Sequence, residues 1–295
     1  MTTPQTEALH ALAQGLDTRP LADVASVLAQ GQIAAATSVQ AATAAIATAS
    51  AAMAATIRNG GTLHYIAAGS SGLMAAADAQ ELGGTFSIPR SQIRIHMAGG
   101  LPTGVEMPGD TEDDTAGLDI ALADLTPRDT IIAVSASGTT PYTLAAARLA
   151  RVVGATIIGI ANNAGSALLL AADHPICLAT PAEVLSGSTR MGAGTAQKIT
   201  LSMLSTLMAV ALGHVHDGMM VNLRADNIKL RARALSIVGQ IAGVTPDAAA
   251  TALDAAGGEV KPAILIAARA ITADHAKTIL RDTEGNLRAA LAQTI

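Results

Sequence analysis

Five short apolar runs, each bounded by turn-forming residues, alternate with alanine-rich helical patterns over residues 60–190 of this chain. Neighbouring parallel strands need a long crossover, which is usually a helix, so this alternation predicts βαβ units. We therefore expect an α/β fold, a doubly wound parallel five-stranded sheet with helices on both faces. The predicted strands are Thr62–Ala67, Gln92–Met97, Thr130–Val134, Thr156–Ala161 and Pro175–Leu178.

The segments on either side of the predicted sheet have helical patterns. Residues 20–58 are rich in alanine and stop at Asn59-Gly60-Gly61, and the chain after residue 190 keeps apolar residues at helical spacing. Near the end, Thr245-Pro246-Asp247 predicts a helix start and Gly257-Gly258 a break. We predict an N-terminal helical segment that packs on the core, an α/β sheet domain and a small C-terminal helical domain, over residues 1–59, 60–240 and 241–295.

Composition narrows the classes of function. The 295 residues carry a net charge of −5, only 14% are charged, and the aromatic residues are Tyr65, Tyr142 and Phe86. An acidic balance argues against a nucleic-acid partner, and three rings cannot build stacking platforms for bases. Because an average soluble domain is about 25% charged, so neutral a surface predicts burial in an oligomer. The single cysteine excludes disulfide frameworks and thiolate zinc clusters.

Signals for a membrane or a metal are weak. The N-terminus lacks a basic stretch followed by an apolar one, and the most apolar predicted helix, Ile199–Leu212, is shorter than the ~20 residues that span a bilayer. We therefore expect a cytoplasmic protein with no membrane partner. His214 and His216 lack a nearby third ligand, so no metal site is expected, and His96 is expected to be structural.

Three turns rich in glycine, serine and threonine precede predicted helices: Gly69-Ser70-Ser71-Gly72, Ser137-Gly138-Thr139-Thr140 and Ser186-Gly187-Ser188-Thr189. Glycine lets the backbone approach an anion, hydroxyl groups donate hydrogen bonds, and a helix N-terminus supplies partial positive charge. The turns predict a pocket for a phosphate or a polyol, although each alone is also typical of an ordinary helix cap. The candidate substrate contacts are Gly69, Ser70, Ser71, Ser137, Gly138, Thr140, Ser186, Ser188, Thr189 and Lys198.

The hydroxylated turns belong to a longer series of motifs, which includes Thr6-Glu7, Asp78-Ala79-Gln80-Glu81, Glu112-Asp113-Asp114, Thr140-Pro141-Tyr142 and Gly187-Ser188-Thr189-Arg190 through Ala193-Gly194-Thr195-Ala196-Gln197-Lys198. The serine turns resemble the sugar isomerase (SIS) domain. The complete series is similar, over nearly the whole chain, to the N-acetylmuramic acid 6-phosphate etherases. The stretch from Gly187 to Lys198 is the most specific part of that resemblance.

The resemblance implies the SIS fold and a carbon–oxygen lyase of cell-wall sugar recycling that acts as a homodimer without metal or other cofactor. The family cleaves the D-lactyl ether at C3 of the phosphosugar by eliminating lactate and then adding water. By the resemblance, Glu81 is the acid/base at the leaving oxygen and Glu112 the base at C2. Without the resemblance, Glu81 is typical of a solvated carboxylate at a helix end and Glu112 of an acidic surface loop.

The chain departs from the family pattern where the family carries cations: Leu73 and Thr139 stand in place of arginine, and Gly192 in place of lysine. A charge-assisted hydrogen bond contributes about 1.5–3 kcal/mol, so these losses predict a related substrate that is less anionic or bound differently. Two alternatives stay open. One is a phosphosugar-sensing SIS protein without catalysis, and the other is an aldose–ketose isomerase, which shares proton removal at C2.

Overall fold

The computed structural model of the protein describes residues 4–293. Within them the chain forms two compact units, residues 4–80 with 91–205 and residues 81–90 with 206–293. These boundaries differ from the predicted divisions after residues 59 and 240. The organisation into three domains stays a prediction.

The first unit contains a five-stranded parallel sheet made of β1 (Leu63–Ala67), β2 (Ile93–Met97), β3 (Thr130–Ser135), β4 (Thr156–Ala161) and β5 (His174–Cys177). The strands pair in the order β2-β1-β3-β4-β5. The predicted α/β class and all five predicted strands are confirmed. The strand order reverses between β1 and β3, which is the point where open α/β sheets bind their ligands.

Seven helices accompany the sheet: α1 (Leu21–Ser38), α2 (Thr43–Arg58), α3 (Gly69–Phe86), α4 (Leu118–Ala121), α5 (Pro141–Val153), α6 (Ala167–Ala171) and α7 (Gly192–Ala211). Both α3 and α7 continue into the second unit. Short 3-10 turns occur at Gln5–Glu7, Leu16–Thr18, Val39–Ala42 and Arg90–Gln92. The helix predicted over residues 20–58 is therefore two helices joined by the turn at Val39–Ala42.

The core of the first unit lies between the sheet and its helices. Every residue of β1 and β3 is buried, as expected for a parallel sheet covered by helices. Helix α5 packs on β1, β3 and β4 through Ala146, Ala147 and Ala150. Alanine side chains let this helix approach the large isoleucines of the strands closely.

One helical stretch, Leu21–Arg58, is long and apolar enough to span a bilayer, with a mean hydropathy of 1.2 and 39% of its most apolar window buried. Within it, α2 packs against β1, β3 and β5, and its Ile46, Ala49 and Met53 are fully buried. Such contacts are typical of a core helix in an α/β domain. The absence of a membrane partner stays a prediction.

In the described residues, the second unit contains a small antiparallel hairpin followed by five helices. The elements are β6 (Val215–His216), β7 (Met219–Met220), α8 (Ile228–Ala242), α9 (Pro246–Ala255), α10 (Val260–Arg269), α11 (Ala273–Asp282) and α12 (Leu287–Ala292). The hairpin corrects the expectation of unbroken helical structure after residue 190. The predicted helix start is confirmed, because Thr245 Oγ1 accepts a hydrogen bond from Ala248 N at the start of α9.

Candidate functional site

The first two hydroxylated turns lie at the same edge of the sheet. Strands β1 and β3 are neighbours, with Ala67 opposite Val134, so the segments that follow them start side by side. The first turn forms the beginning of α3, and the second leads into α5. Both turns therefore flank the point where the strand order reverses, as a ligand site at this edge requires.

Glu112 lies between these two turns. Its carbonyl oxygen accepts a hydrogen bond from Tyr142 N at the start of α5, at 3.1 Å. Its carboxylate lies against Gly69, because a Cβ atom added there would be 2.5 Å from Glu112 Oε1. Gly69 also has a φ of +53°, which favours glycine. The structure thus brings the acidic loop, which is exposed, to the first turn of α3.

Hydroxyl groups of the second turn are hydrogen-bonded to one another. Ser137 Oγ accepts hydrogen bonds from Thr139 N at 3.1 Å and Thr139 Oγ1 at 3.0 Å. Thr140 precedes α5, but its hydroxyl makes no helix cap and instead lies 2.8 Å from Ser135 Oγ. Gly138, with a φ of +70°, packs against Ser166, where a Cβ atom would overlap the serine hydroxyl. The hydroxyl groups of this turn therefore bond within the loop, and that of Thr140 does not cap α5.

The third turn precedes α7 and contacts the N-terminal segment. Ser186 Oγ lies within weak hydrogen-bond distance of the carbonyl oxygens of Glu7 and Ala8, at 3.4 and 3.5 Å. Ser188 and Thr189 are half-buried. Lys198 is exposed, and its Nζ donates to Ser202 Oγ at 2.9 Å one helical turn further along α7. The structure brings the serines to the helix start, whereas Lys198 lies two turns beyond it.

Sequence reasoning missed the residue that caps α7. The buried carboxylate of Glu183 accepts hydrogen bonds from Gly192 N at 2.9 Å and Ala193 N at 2.8 Å. An anionic acceptor satisfies the free N–H groups at this helix start and matches the positive end of its dipole. A capping residue normally stands next to the helix, so an acidic residue nine positions earlier gives no capping signal.

Comparison with known proteins decides the family. Residues 107–213 match the SIS domain model. Over 298 residues the chain is 41% identical to an N-acetylmuramic acid 6-phosphate etherase from Deinococcus radiodurans, which covers 99% of this chain and 97% of the relative. The chain belongs to the N-acetylmuramic acid 6-phosphate etherase family. An etherase of the same name from Streptomyces avermitilis is 43% identical over 236 residues, or 79% of this chain and 76% of that protein.

Solved structures share the fold of this etherase family member at lower identity. A proposed phosphosugar isomerase involved in capsule formation from Bacteroides fragilis aligns with a TM-score of 0.51 and 22% identity. The alignment covers 64% of this chain and 90% of that one. This similarity confirms the predicted SIS fold.

The three positions at which the resemblance predicts cations have different environments. Leu73 and Thr139 are exposed. Thr139 donates hydrogen bonds from both its backbone N and its hydroxyl to Ser137 Oγ. Gly192 is buried, and a Cβ atom there would be 3.0 Å from Glu183 Oε2 and 3.1 Å from Ala35 Cβ. A side chain at residue 192 therefore requires its neighbours to shift.

Glu81, the second predicted catalytic carboxylate of the etherase family, is exposed on α3. It belongs to residues 81–90 of the second unit, whereas Glu112 belongs to the first. The pairing of the two carboxylates stays a prediction. Three residues earlier, Asp78 accepts hydrogen bonds from Tyr65 OH at 3.0 Å and Ser205 Oγ at 2.9 Å. Asp78 therefore links β1, α3 and α7, and burial raises the pKa of Tyr65 well above its usual value.

Two of the histidines in the sheet, on β1 and β2, stack against each other. The rings of His64 on β1 and His96 on β2 stack with centroids 5.3 Å apart, and His64 Nδ1 lies 3.1 Å from His96 Nε2. Burial lowers both pKa values, that of His96 to about 4. Among residues 4–293, no group of three histidine, cysteine or acidic side chains is arranged to hold a metal ion.

Proposed function

We propose that this protein cleaves the D-lactyl ether of N-acetylmuramic acid 6-phosphate, or of a close amino-sugar analogue, during cell-wall sugar recycling. The observation that carries this proposal is the 41% identity over 99% of the chain to a relative that bears the etherase name. The position of Glu112 against the first hydroxylated turn supports it, since the reaction needs a base beside the bound sugar.

The reaction needs two proton transfers at the sugar. In the open-chain form the C1 carbonyl acidifies the C2 proton; a base removes it, and the C3–O bond breaks as the double bond forms. The departing lactate oxygen takes a proton, and water then adds its hydroxyl to C3 and returns a proton to C2. We assign the C2 base to Glu112 and the acid at the lactate oxygen, which later activates water, to Glu81.

The hydroxylated turns are our candidates for binding the sugar phosphate. The hydroxyl groups of the turns and the backbone N–H groups at the start of α3 are suitable donors for an anion, whereas the first N–H groups of α7 already bind Glu183. Leu73, Thr139 and Gly192 add no cation, so we expect a phosphate preference of roughly tenfold or less, equal to about 1.4 kcal/mol. Binding of N-acetylmuramic acid with and without the 6-phosphate measures it. A preference of several hundredfold, or about 3–4 kcal/mol, would contradict a less anionic or differently bound substrate.

Release of D-lactate from N-acetylmuramic acid 6-phosphate tests the activity. We expect wild-type protein to release lactate, and Glu112→Gln and Glu81→Gln each to lower kcat by about 100-fold or more, since each removes one proton transfer. Glu284→Gln, in an exposed turn of the second unit, is the matched control and keeps its kcat. Ketose formation without lactate favours the isomerase, and saturable binding without any product favours the sensor.

We also propose that the protein is a cytoplasmic homodimer. Large apolar side chains of α1 are exposed in the single chain, with Leu21 85% and Ile33 66% accessible, which suits an interface. Light scattering after size-exclusion chromatography measures the mass, and we expect twice the 29.4 kDa of one chain. A mass of one chain at micromolar concentration contradicts this proposal.

A further inference from the structure

A cavity of about 600 Å³ lies within the second unit, and none of the hydroxylated turns contributes to its wall. The wall consists of the segment that follows the hairpin, the glycine-rich turn before α10, the start of α10 and residues at the ends of α3 and α11. The charged residues that line it are Arg224, Asp226, Glu259 and Lys261. The reaction proposed above uses none of them.

Lys261 is a buried cation without a carboxylate partner. It is only 6% exposed, and its Nζ donates to the carbonyl oxygen of Gly285 at 2.7 Å. No acidic side chain of the described residues lies within ion-pair distance of it. Burial lowers the pKa of Lys261 from 10.5 to about 8, as expected where no anion compensates the charge. Gly285 is itself part of the wall, so the ammonium lies at the cavity with two of its three donors left for a ligand.

The start of α10 lines the same cavity without a cap. Val260 and Lys261 are buried, and in the described part of the chain their backbone N–H groups have no hydrogen-bond partner. Glu259 stands at the capping position, but its carboxylate does not cap the helix and lies 3.4 Å from Lys277 Nζ instead. A buried helix start needs an acceptor, and the positive end of the helix dipole favours an anionic one. The uncapped helix and the buried ammonium therefore require the same kind of ligand.

Arg224 adds a second cation to the wall. Its backbone N donates to the carbonyl oxygen of Gly84 at 3.0 Å, which holds the segment to α3. Its side chain is exposed and makes no hydrogen bond or ion pair within the described residues. Asp226 supplies the one lining carboxylate that no cation pairs with, and it accepts from Asn227 Nδ2 at 3.3 Å. Arg224 and Lys261 together outweigh this carboxylate, so the cavity suits an anion.

We propose that this cavity binds the phosphate group of a small phosphate monoester or of free phosphate. Lys261 and Arg224 are its cationic contacts, and the backbone N–H groups of Val260 and Lys261 are further donors. A phosphate monoester carries about two negative charges near neutral pH, which match two cations better than a single carboxylate does. The site needs no part of the proposed function. It gives the second unit a ligand of its own, which stabilises that unit when it binds.

Isothermal titration calorimetry of the full chain with inorganic phosphate and with glycerol 3-phosphate tests the site. We expect Lys261→Met to weaken binding about tenfold or more and Arg224→Gln about fivefold, because each removes a charge-assisted contact. Arg281→Gln removes an exposed cation of α11 that does not line the cavity, so it is the matched control and binds like the wild type.

Urea unfolding with and without phosphate separates a ligand role of Lys261 from a structural one. We expect phosphate to raise the unfolding midpoint of the wild type and of Arg281→Gln, since a ligand of the folded state stabilises it. The midpoint of Lys261→Met stays where it is without phosphate, whatever its value. If Lys261→Met does not fold, Arg224→Gln decides, because its exposed side chain is not needed for packing.

Weaker binding of either probe to Lys261→Met and Arg224→Gln supports the site, and the probe affected identifies the source of the phosphate. If both variants bind both probes like the wild type, the phosphate is held elsewhere, for example at the hydroxylated turns, and the proposal is wrong. It is equally wrong if the wild type binds neither probe. Lactate release decides the etherase activity separately, since the residues of this cavity have no role in the proton transfers.

Discussion

At the scale of single residues, two carboxylate acceptors organise the region around the hydroxylated turns, the buried Glu183 and the half-buried Asp78. Glu183 binds two backbone N–H groups at the start of α7, and Asp78 binds the hydroxyls of Tyr65 and Ser205. Neither role follows from sequence spacing, because the partners come from other segments. Glu112 differs from them, since its motif identifies the residue and the fold supplies its neighbours.

Glu183→Ala tests the helix cap. The substitution leaves Gly192 N and Ala193 N without their acceptor, so we expect the free energy of unfolding to fall by about 2 kcal/mol. Urea unfolding monitored by circular dichroism measures the change. Glu106→Ala, in an exposed loop of the same unit, is the control and stays within about 0.5 kcal/mol of the wild type. A Glu183→Ala variant as stable as this control contradicts the assigned cap.

At the scale of secondary structure elements, the start of α3 depends on a glycine. Gly69→Ala combines a left-handed backbone with a clash against Glu112 Oε1, whereas Gly60→Ala has a similar φ of +72° and no atom within 4 Å of its Cβ. Both variants should lose about 1 kcal/mol of stability. Only Gly69→Ala moves the carboxylate of Glu112, so we expect its kcat for lactate release to fall roughly 100-fold. Equal kcat values for the two variants would contradict the role assigned to Glu112 in the reaction.

The pairing of β1 with β2 makes stability depend on pH. The pKa of His96 is lowered from 6.5 to about 4, first by burial and then by His64. Asp124 acts to raise this pKa and Arg94 to lower it. Burial also lowers the pKa of His64, while Asp129 and Asp124 act to raise it and Arg94 acts to lower it. The unfolded chain therefore binds protons that the folded one does not, and stability falls as the pH drops from 6.5 towards 4.

Urea unfolding at several pH values measures this dependence. We expect the wild type to lose on the order of 2 kcal/mol between pH 6.5 and pH 4 through His96. His96→Gln removes this titration and flattens the curve in that range. His275→Gln, which replaces an exposed histidine of α11, keeps the wild-type slope. Equal slopes for all three proteins contradict the assignment.

At the scale of the whole molecule, the sparse aromatic composition allows a spectroscopic test of the core. Tyr65 and Tyr142 are the only tyrosines, there is no tryptophan, and burial raises the pKa of both phenols above 10.0. The unfolded chain loses these protons first, so stability is retained below pH 10 and falls as the pH rises above it. We expect phenolate absorbance to appear together with unfolding detected by circular dichroism. Ionisation of both tyrosines near pH 10 in the folded protein would contradict their burial.

Elements that a local sequence pattern specifies were predictable. The five strands follow from β-branched runs, and α9 follows from Thr245 and Pro246 at its start. The hairpin of β6 and β7 also had a signal, since Asp217-Gly218 is a common type I′ turn, but strands of two residues are too short for a period to show. The contact of Thr6 with Asn163, 157 residues apart, has no local pattern that predicts it.

The hydrogen bonds within the second hydroxylated turn determine what it can recognise. Both lone pairs of Ser137 Oγ accept from Thr139, so its hydroxyl proton is the group that it donates, either to Ser135 Oγ at 3.3 Å or, in place of that long bond, to an incoming molecule. A group that arrives there must present an oxygen with a free lone pair, as a phosphate, a hydroxyl or an acetyl carbonyl does. A protonated amine offers none, and the protein should therefore favour acetylated sugars over their free-amine counterparts.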